Sequence, residues 1–220
     1  MKWIKQNCLF TPCHEALKLD TDQREELYKL FGNSFIDSIL IAKQENALLY
    51  SDDERLRSYA AGTYSVQGVW TQAVIENLLS LGIISNEKYQ DSVIRLINSN
   101  YIFTSINSDT LIEVTKQSQW KPDRNFIKIV SLLNGKKCND TPAIIVVTDY
   151  IKKLFNQPIF IDDPKNICFV VLDNVIKDRN QRGEFIRKLE IRLTKLFLLS
   201  PNKLIEVKQM LKVWLKTQIV

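Results

Sequence analysis

Residues 32–57 read GNSFIDSILIAKQENALLYSDDERLR, and this stretch decides which fold the sequence predicts. Asn33 or Ser34 suits the start of a helix in which apolar residues recur at helical spacing to about residue 42. The short apolar run 47–50 is bounded by polar residues, so we interpret it as a buried strand. Another helix follows, and the stretch therefore predicts alternating helix and strand, as in an α/β fold.

The flanking sequence extends this pattern in both directions. Upstream, residues 22–31 predict a short helix that Gly32 ends. Downstream, residues 66–70 suit a second short strand, and a helix is predicted over residues 71–81. The aromatic and β-branched run 101–106 suits a third strand.

Strand signals fade after residue 118, and helical periodicity dominates the rest of the chain. We therefore predict two domains, an α/β domain over residues 1–118 with few short parallel strands and a mostly α-helical domain over residues 119–220. The last two predicted helices form a hairpin around Ser200-Pro201-Asn202. The predicted helices of this second domain cover residues 126–133, 143–155, 167–176, 184–199 and 203–216.

Charge divides the chain in the same place. The 220 residues have a net charge of +5, but residues 1–118 hold 11 Lys and Arg against 15 Asp and Glu. Residues 119–220 hold 19 basic and 10 acidic residues. The two halves therefore suit different partners, or each other, although charge also drifts along helical proteins without a functional cause.

Acidic residues follow the predicted strand 47–50 directly, in Ser51-Asp52-Asp53-Glu54. Two interpretations remain open. The carboxylates could cap the next helix and complement its dipole. They could instead project from the carboxyl end of a strand into the crevice where α/β sheets bind ligands.

The same stretch resembles the later part of the PIN domain, a metal-dependent nuclease fold. The resemblance depends on the helix pattern around Asp37 (DSILIA) and on the strand that ends in Ser51-Asp52-Asp53 before Leu56-Arg57. It extends over about residues 20–106. The resemblance implies that Asp37 and Asp53 bind Mg²⁺ or Mn²⁺ and act catalytically in RNA cleavage, while Asp52 assists them as a further metal-binding residue or caps the helix. Hard divalent cations of this kind prefer carboxylate and water ligands, and they activate a water molecule and neutralise phosphate charge.

The sequence departs from the family pattern at its start. A PIN domain opens with a strand that ends in an aspartate, and residues 1–19 contain no aspartate and no such strand. The resemblance therefore predicts a truncated or decayed Mg²⁺/Mn²⁺-dependent ribonuclease of the toxin type, or a fold that a partner protein completes. Whether the chain is an enzyme stays open at this point.

A different class of function is a non-catalytic helical module that binds nucleic acid or an acidic protein. Its basis is the row of basic residues on the last two predicted helices, since such a stripe can contact phosphates. Glu190 and Glu206 interrupt the row, so a solvated helix face is the competing interpretation. The candidate nucleic-acid-binding residues are Arg187, Arg192, Lys208 and Lys212.

Other classes lack the residues they need. No P-loop or dinucleotide-binding motif is present, and Cys8, Cys13 and His14 have no second pair of ligands for zinc. No apolar run reaches the length of a membrane span, and no secretory signal follows Met1. With four unevenly spaced cysteines, these features predict a cytoplasmic protein with reduced thiols.

Overall fold

The computed structural model describes residues 2–101, 104–157 and 164–218, without the side chain of Trp3. The chain divides into two compact units, Met1–Ile83 and Ile84–Val220. Helix dominates both, and the strands found among the described residues are two short parallel ones. The predicted combination of a small α/β part with a mostly helical remainder is confirmed at this level. None of the helices that the structure describes is long and apolar enough to cross a bilayer.

The first unit follows the predicted order of helix and strand. Gly32 ends the second helix with a φ of +89°, and the third helix begins at the next residue. The elements are the helices α1 (Lys2–Asn7), α2 (Thr21–Phe31), α3 (Asn33–Gln44), α4 (Glu54–Tyr64) and α5 (Thr71–Ser80), the strands β1 (Leu49–Tyr50) and β2 (Gly68–Val69), and a 3-10 helix at His14–Lys18.

Helix α3 is the centre of this unit because it buries two adjacent faces. One face packs Ile36 and Leu40 against Ala16 and against the partly buried apolar side chains of α2. The other face packs Ile39 and Ala42 against a cluster formed by the strand and helix that follow. The members of that cluster beyond α3 are Leu49, Leu56, Ala60 and Val66.

Strands β1 and β2 form a parallel pair with α4 as the crossover between them. Leu49 pairs with Gly68, and Tyr50 pairs with Val69. Parallel neighbours need such a crossover, usually a helix. Both strands are shorter than the predicted runs 47–50 and 66–70. The predicted third strand includes residues 102 and 103, which lie outside the described residues, and residues 101 and 104–106 adopt no strand.

The second unit is helical throughout its described residues. The predicted hairpin of terminal helices is present, with its turn at residues 197–200. The helices are α6 (Asn86–Asn98), α7 (Ser108–Gln117), α8 (Arg124–Val130), α9 (Asp140–Phe155), α10 (Pro164–Ile176), α11 (Arg182–Leu196) and α12 (Pro201–Thr217), and a 3-10 turn at Ser131–Leu133 continues α8.

Helix α9 lies at the core of the second unit and packs against α7, α10 and α11. Its Val147, Tyr150 and Ile151 are fully buried, and the Tyr150 hydroxyl lies 2.9 Å from Thr115 Oγ1 on α7. Since α7 packs against both α6 and α9, it belongs to this unit. The units therefore divide between Ile83 and Ile84 instead of at the predicted position between residues 118 and 119, because side-chain packing, not charge, groups the helices.

Candidate functional site

Asp53 caps the helix that follows β1. Its Oδ1 accepts hydrogen bonds from the backbone N–H groups of Arg55, at 2.8 Å, and Leu56, at 3.2 Å. The N–H of Asp53 in turn donates to Ser51 Oγ at 3.1 Å. These bonds satisfy amides that the first turn of a helix leaves without a partner. Of the two interpretations of this acidic run, the structure supports helix capping for Asp53.

Asp52 joins the end of β1 to the beginning of α5. Its Oδ1 accepts from the Thr71 backbone N–H at 2.9 Å, and its Oδ2 accepts from Thr71 Oγ1 at 2.8 Å. The Tyr50 hydroxyl lies 2.6 Å from the same Thr71 oxygen. Because β1 and β2 are parallel, their carboxyl ends meet at one edge, and Asp52 uses that proximity to cap the helix after β2.

Asp37 faces a different element. Its Oδ1 accepts a 2.6 Å hydrogen bond from the hydroxyl of Tyr28 on α2, and this bond raises the pKa of Tyr28 to about 12. Ile39 belongs to the cluster with β1 and α4. Residues two apart on a helix are separated by about 200° around its axis. The carboxylate of Asp37 therefore faces α2 and not the strand ends where Asp52 and Asp53 lie.

Arg57, which follows this run, also has structural partners. Arg57 donates from Nη1 to the Ser51 carbonyl at 2.7 Å, and its guanidinium lies 5.1 Å from the centre of the Trp70 ring. A Cβ at Gly68 would come within 2.6 Å of Arg57 Cγ, so the glycine in β2 leaves space for this side chain. Neither Arg55 nor Arg57 forms an ion pair with the three aspartates in the part of the chain that the structure describes.

The three aspartates do not form one group. Among residues 2–101, 104–157 and 164–218, no three His, Cys, Asp or Glu side chains lie together in a way that could hold a metal ion. Asp37, Asp52 and Asp53 each bind a different intramolecular partner. As placed, this donor set does not fit a divalent cation, and the role of these residues with Mg²⁺ or Mn²⁺ stays a prediction. Sequence reasoning missed Tyr28 and Thr71, since neither forms a local motif with its aspartate.

The predicted basic residues of the second unit occupy different environments. Arg192 on α11 donates from Nε to Thr148 Oγ1 at 2.8 Å and pairs with Asp149 at 3.1 Å. It therefore attaches α11 to α9. The other three predicted contacts, Arg187, Lys208 and Lys212, are exposed.

An apolar groove of about 810 Å³ runs between α11 and α12. Ile191 lines one side and is 44% exposed, although it is an aliphatic residue. Lys195, also from α11, lies beside it. From α12 the aliphatic lining residues are Leu204, Val207, Leu211 and Leu215. The lysines of α12 that border the groove are Lys208, Lys212 and Lys216.

Comparison with known proteins bears on the first unit. Residues 1–62 match a family model described as a PIN domain associated with the TPR-GreAB-C-PIN system. The predicted resemblance to PIN domains is thereby confirmed for this part of the chain, which includes Asp37 and Asp53. The match begins at residue 1, earlier than the predicted region, and ends within α4. No curated protein and no solved structure matches the chain.

Proposed function

We propose that this chain acts as a non-catalytic interaction protein, in which a PIN-like unit is joined to a basic helical unit that binds an acidic protein partner. The observation that carries the proposal is the arrangement of Asp37 and Asp53, the two aspartates that match the family pattern, and of their neighbour Asp52. Asp53 caps its own helix, Asp52 caps α5 through Thr71, and Asp37 accepts from Tyr28. Carboxylates committed to separate partners stabilise a fold, whereas phosphodiester hydrolysis needs several of them around the same metal ions.

The basic helical unit supplies the surface for this interaction. Residues 182–217, which form α11 and α12, contain nine Lys and Arg residues and three Glu residues. Part of this charge is used within the unit, as at Arg192 and at Lys203, which donates to Asn156, but Lys208, Lys212 and Lys216 on α12 are exposed. An excess of unneutralised positive charge attracts an acidic partner and accelerates its association at low ionic strength.

A nuclease assay tests the catalytic side of the proposal. The purified chain is incubated with single-stranded RNA and Mg²⁺ or Mn²⁺, beside Asp53→Asn and a matched control, Asp123→Asn. Asp123 caps α8 in the same way, by accepting from the Phe126 N–H at 2.7 Å, so its loss has a comparable structural cost. We expect no metal-dependent cleavage by any of the three proteins. Cleavage that Asp53→Asn abolishes and Asp123→Asn leaves intact would overturn the proposal.

A second candidate function is a Mg²⁺- or Mn²⁺-dependent ribonuclease whose site is completed by another segment or chain. Two observations favour it. Residues 1–62 match a PIN domain family, and β1 pairs on one side only, with β2, among the described residues. A further strand beside β1 would bring its carboxyl end next to Asp52 and Asp53. Calorimetric titration with Mn²⁺ tests this candidate: we expect a binding site that Asp53→Asn weakens and Asp123→Asn does not.

A further inference from the structure

The groove between α11 and α12 combines aliphatic walls with a row of three lysines along α12, and Lys195 borders it on α11. Lys208, Lys212 and Lys216 follow one another at intervals of four residues, so they lie on the same side of α12. Within the described residues none of these three forms an ion pair, and Glu190 is the acidic residue of the lining. The positive charge along the groove is therefore available to a bound molecule.

The size of the groove matches a helix. Its lining on α12 extends from Leu204 to Lys216, which corresponds to about 18 Å at 1.5 Å per residue. An amphipathic helix of about three turns would cover this length and place an apolar stripe between the two helices. Acidic residues four apart on such a helix would face the lysine row one by one.

Single-stranded nucleic acid fits this groove less well. Proteins that bind it without sequence preference combine a basic channel with aromatic side chains on which bases stack. The described residues that line this groove are aliphatic, polar or charged, with no aromatic among them. Arg187, which the sequence predicts as a nucleic-acid contact, is exposed but lies outside the lining.

We propose that the groove between α11 and α12 binds an amphipathic, acidic helix of a partner protein, with its apolar stripe on Ile191, Leu204 and Leu215 and its carboxylates on the lysine row. This inference rests on the proposed function and names its site and mode. Removal of the apolar stripe from water supplies the attraction, and the charge row selects the orientation and the partner.

The test uses the full chain and a labelled synthetic peptide of about 16 residues, with leucines at helical spacing and glutamates every fourth residue beside them. A second peptide keeps the leucines and carries lysines in place of the glutamates. Fluorescence anisotropy is measured for the wild type, for the triple variant Lys208→Glu/Lys212→Glu/Lys216→Glu, and for Ile191→Asp in the groove wall. Arg187→Glu is the matched control, since it reverses an exposed charge outside the groove. Circular dichroism confirms that each variant is folded.

We expect the acidic peptide to bind the wild type and Arg187→Glu equally, and the triple variant and Ile191→Asp at least about tenfold more weakly. The lysine peptide should bind the triple variant better than the wild type, because both charge rows are then reversed. Equal binding of the acidic peptide to wild type and triple variant overturns the proposal, as does failure to bind at all.

Two other occupants are outcomes of the same experiment. A uridine oligomer could displace the acidic peptide. If Arg187→Glu weakens binding of that oligomer as strongly as the triple variant does, the proposal is overturned in favour of nucleic acid. Self-association that Ile191→Asp abolishes, measured by sedimentation, would overturn it in favour of a second copy of the chain. The nuclease assay distinguishes failure of the groove proposal from failure of the proposed function. If the chain shows no metal-dependent cleavage and does not bind the acidic peptide, only the groove proposal is refuted.

Discussion

The carboxylate of Asp52 accepts both the backbone N–H and the side-chain hydroxyl of Thr71, at 2.9 and 2.8 Å. The two residues are 19 positions apart in sequence and follow two parallel strands. Asp52 lies in an acidic run that suits metal binding, but in the structure it caps α5, which begins at Thr71. The parallel pairing of β1 and β2 creates this contact.

Loss of this cap should destabilise the first unit. We expect Asp52→Ala to lower the free energy of unfolding by about 1 kcal/mol, since an N-terminal helix cap contributes about that much. Urea denaturation measures the change. Glu76→Ala, an exposed substitution on α5 itself, is the control and should leave stability nearly unchanged. An Asp52→Ala protein as stable as the control would show that the cap has no energetic importance.

The hydrogen bond from Tyr28 to Asp37 makes stability depend on alkaline pH. Tyr28 has a pKa of about 12 in the folded chain, above its ordinary value of 10.0, so folding favours the neutral phenol. This contribution is fully present below pH 10 and is lost as the pH rises towards 12. Tyr28→Phe should therefore weaken the fold at neutral pH and make the alkaline decline of the unfolding free energy shallower. Asp37→Asn, which keeps an acceptor but not the charge, should give an intermediate result; a decline as steep in Tyr28→Phe as in the wild type would contradict this assignment.

Arg179 is a buried cation of the second unit and contacts the 3-10 turn after α8, the start of α9 and helix α11. It is 7% exposed, donates from Nη2 to the Leu133 carbonyl at 2.7 Å and pairs with Asp140, while its guanidinium lies 4.1 Å from the centre of the Phe185 ring. We expect Arg179→Met to lower the unfolding free energy by about 2 kcal/mol, because the buried Leu133 carbonyl loses its donor, while the half-exposed Asp140 remains hydrated. Arg182→Met, at an exposed position nearby, should cost little in the same urea titration. Equal stability of the two variants would refute this role.

Alanine substitution at Gly135 and at Gly183, both in the second unit, should change stability in opposite directions. A Cβ at Gly135 would lie 2.5 Å from the backbone oxygen of Asp178, which cannot move aside without disturbing the turn. Gly135→Ala should therefore cost about 2 kcal/mol. A Cβ at Gly183, in α11, would have no neighbouring atom within 4 Å, so Gly183→Ala should be neutral or stabilising by about 0.5 kcal/mol. Thermal unfolding of both variants distinguishes these expectations, and a shift in the same direction for both would contradict them.

Substitutions of Arg192 and of Arg187, both on α11, should have different effects on stability. Arg192 attaches α11 to α9 through Thr148 and Asp149, so Arg192→Gln should lower the unfolding free energy by about 1 kcal/mol. Arg187 is exposed, and Arg187→Gln should leave stability within error of the wild type. Urea titrations of the two variants provide the comparison. If Arg187→Gln were the more damaging change, the assignment of Arg192 to the fold would be wrong.

Much of the fold could be predicted because it depends on local patterns. The helix around Asp37 follows from helical periodicity and the end of α2 from the glycine at position 32. The hairpin of α11 and α12 follows from Ser200-Pro201, which in the structure is the start of α12. The boundary between the two units could not be predicted in this way, because α7 belongs to the second unit through its packing on α9. Charge, on which the predicted boundary at residue 118 partly depended, does not report which helices share a core.

The sequence by itself determined which residue types occupy the strand end and α3. These residue types give the resemblance to PIN domains, which the match over residues 1–62 supports. Only the tertiary structure decided what the carboxylates of Asp37, Asp52 and Asp53 bind. The direction of a side chain is set by helix phase and by strand pairing, and its partner comes from a segment distant in sequence. The spacing of residues along the chain does not predict the hydrogen bond of Tyr28 to Asp37 or that of Thr71 to Asp52.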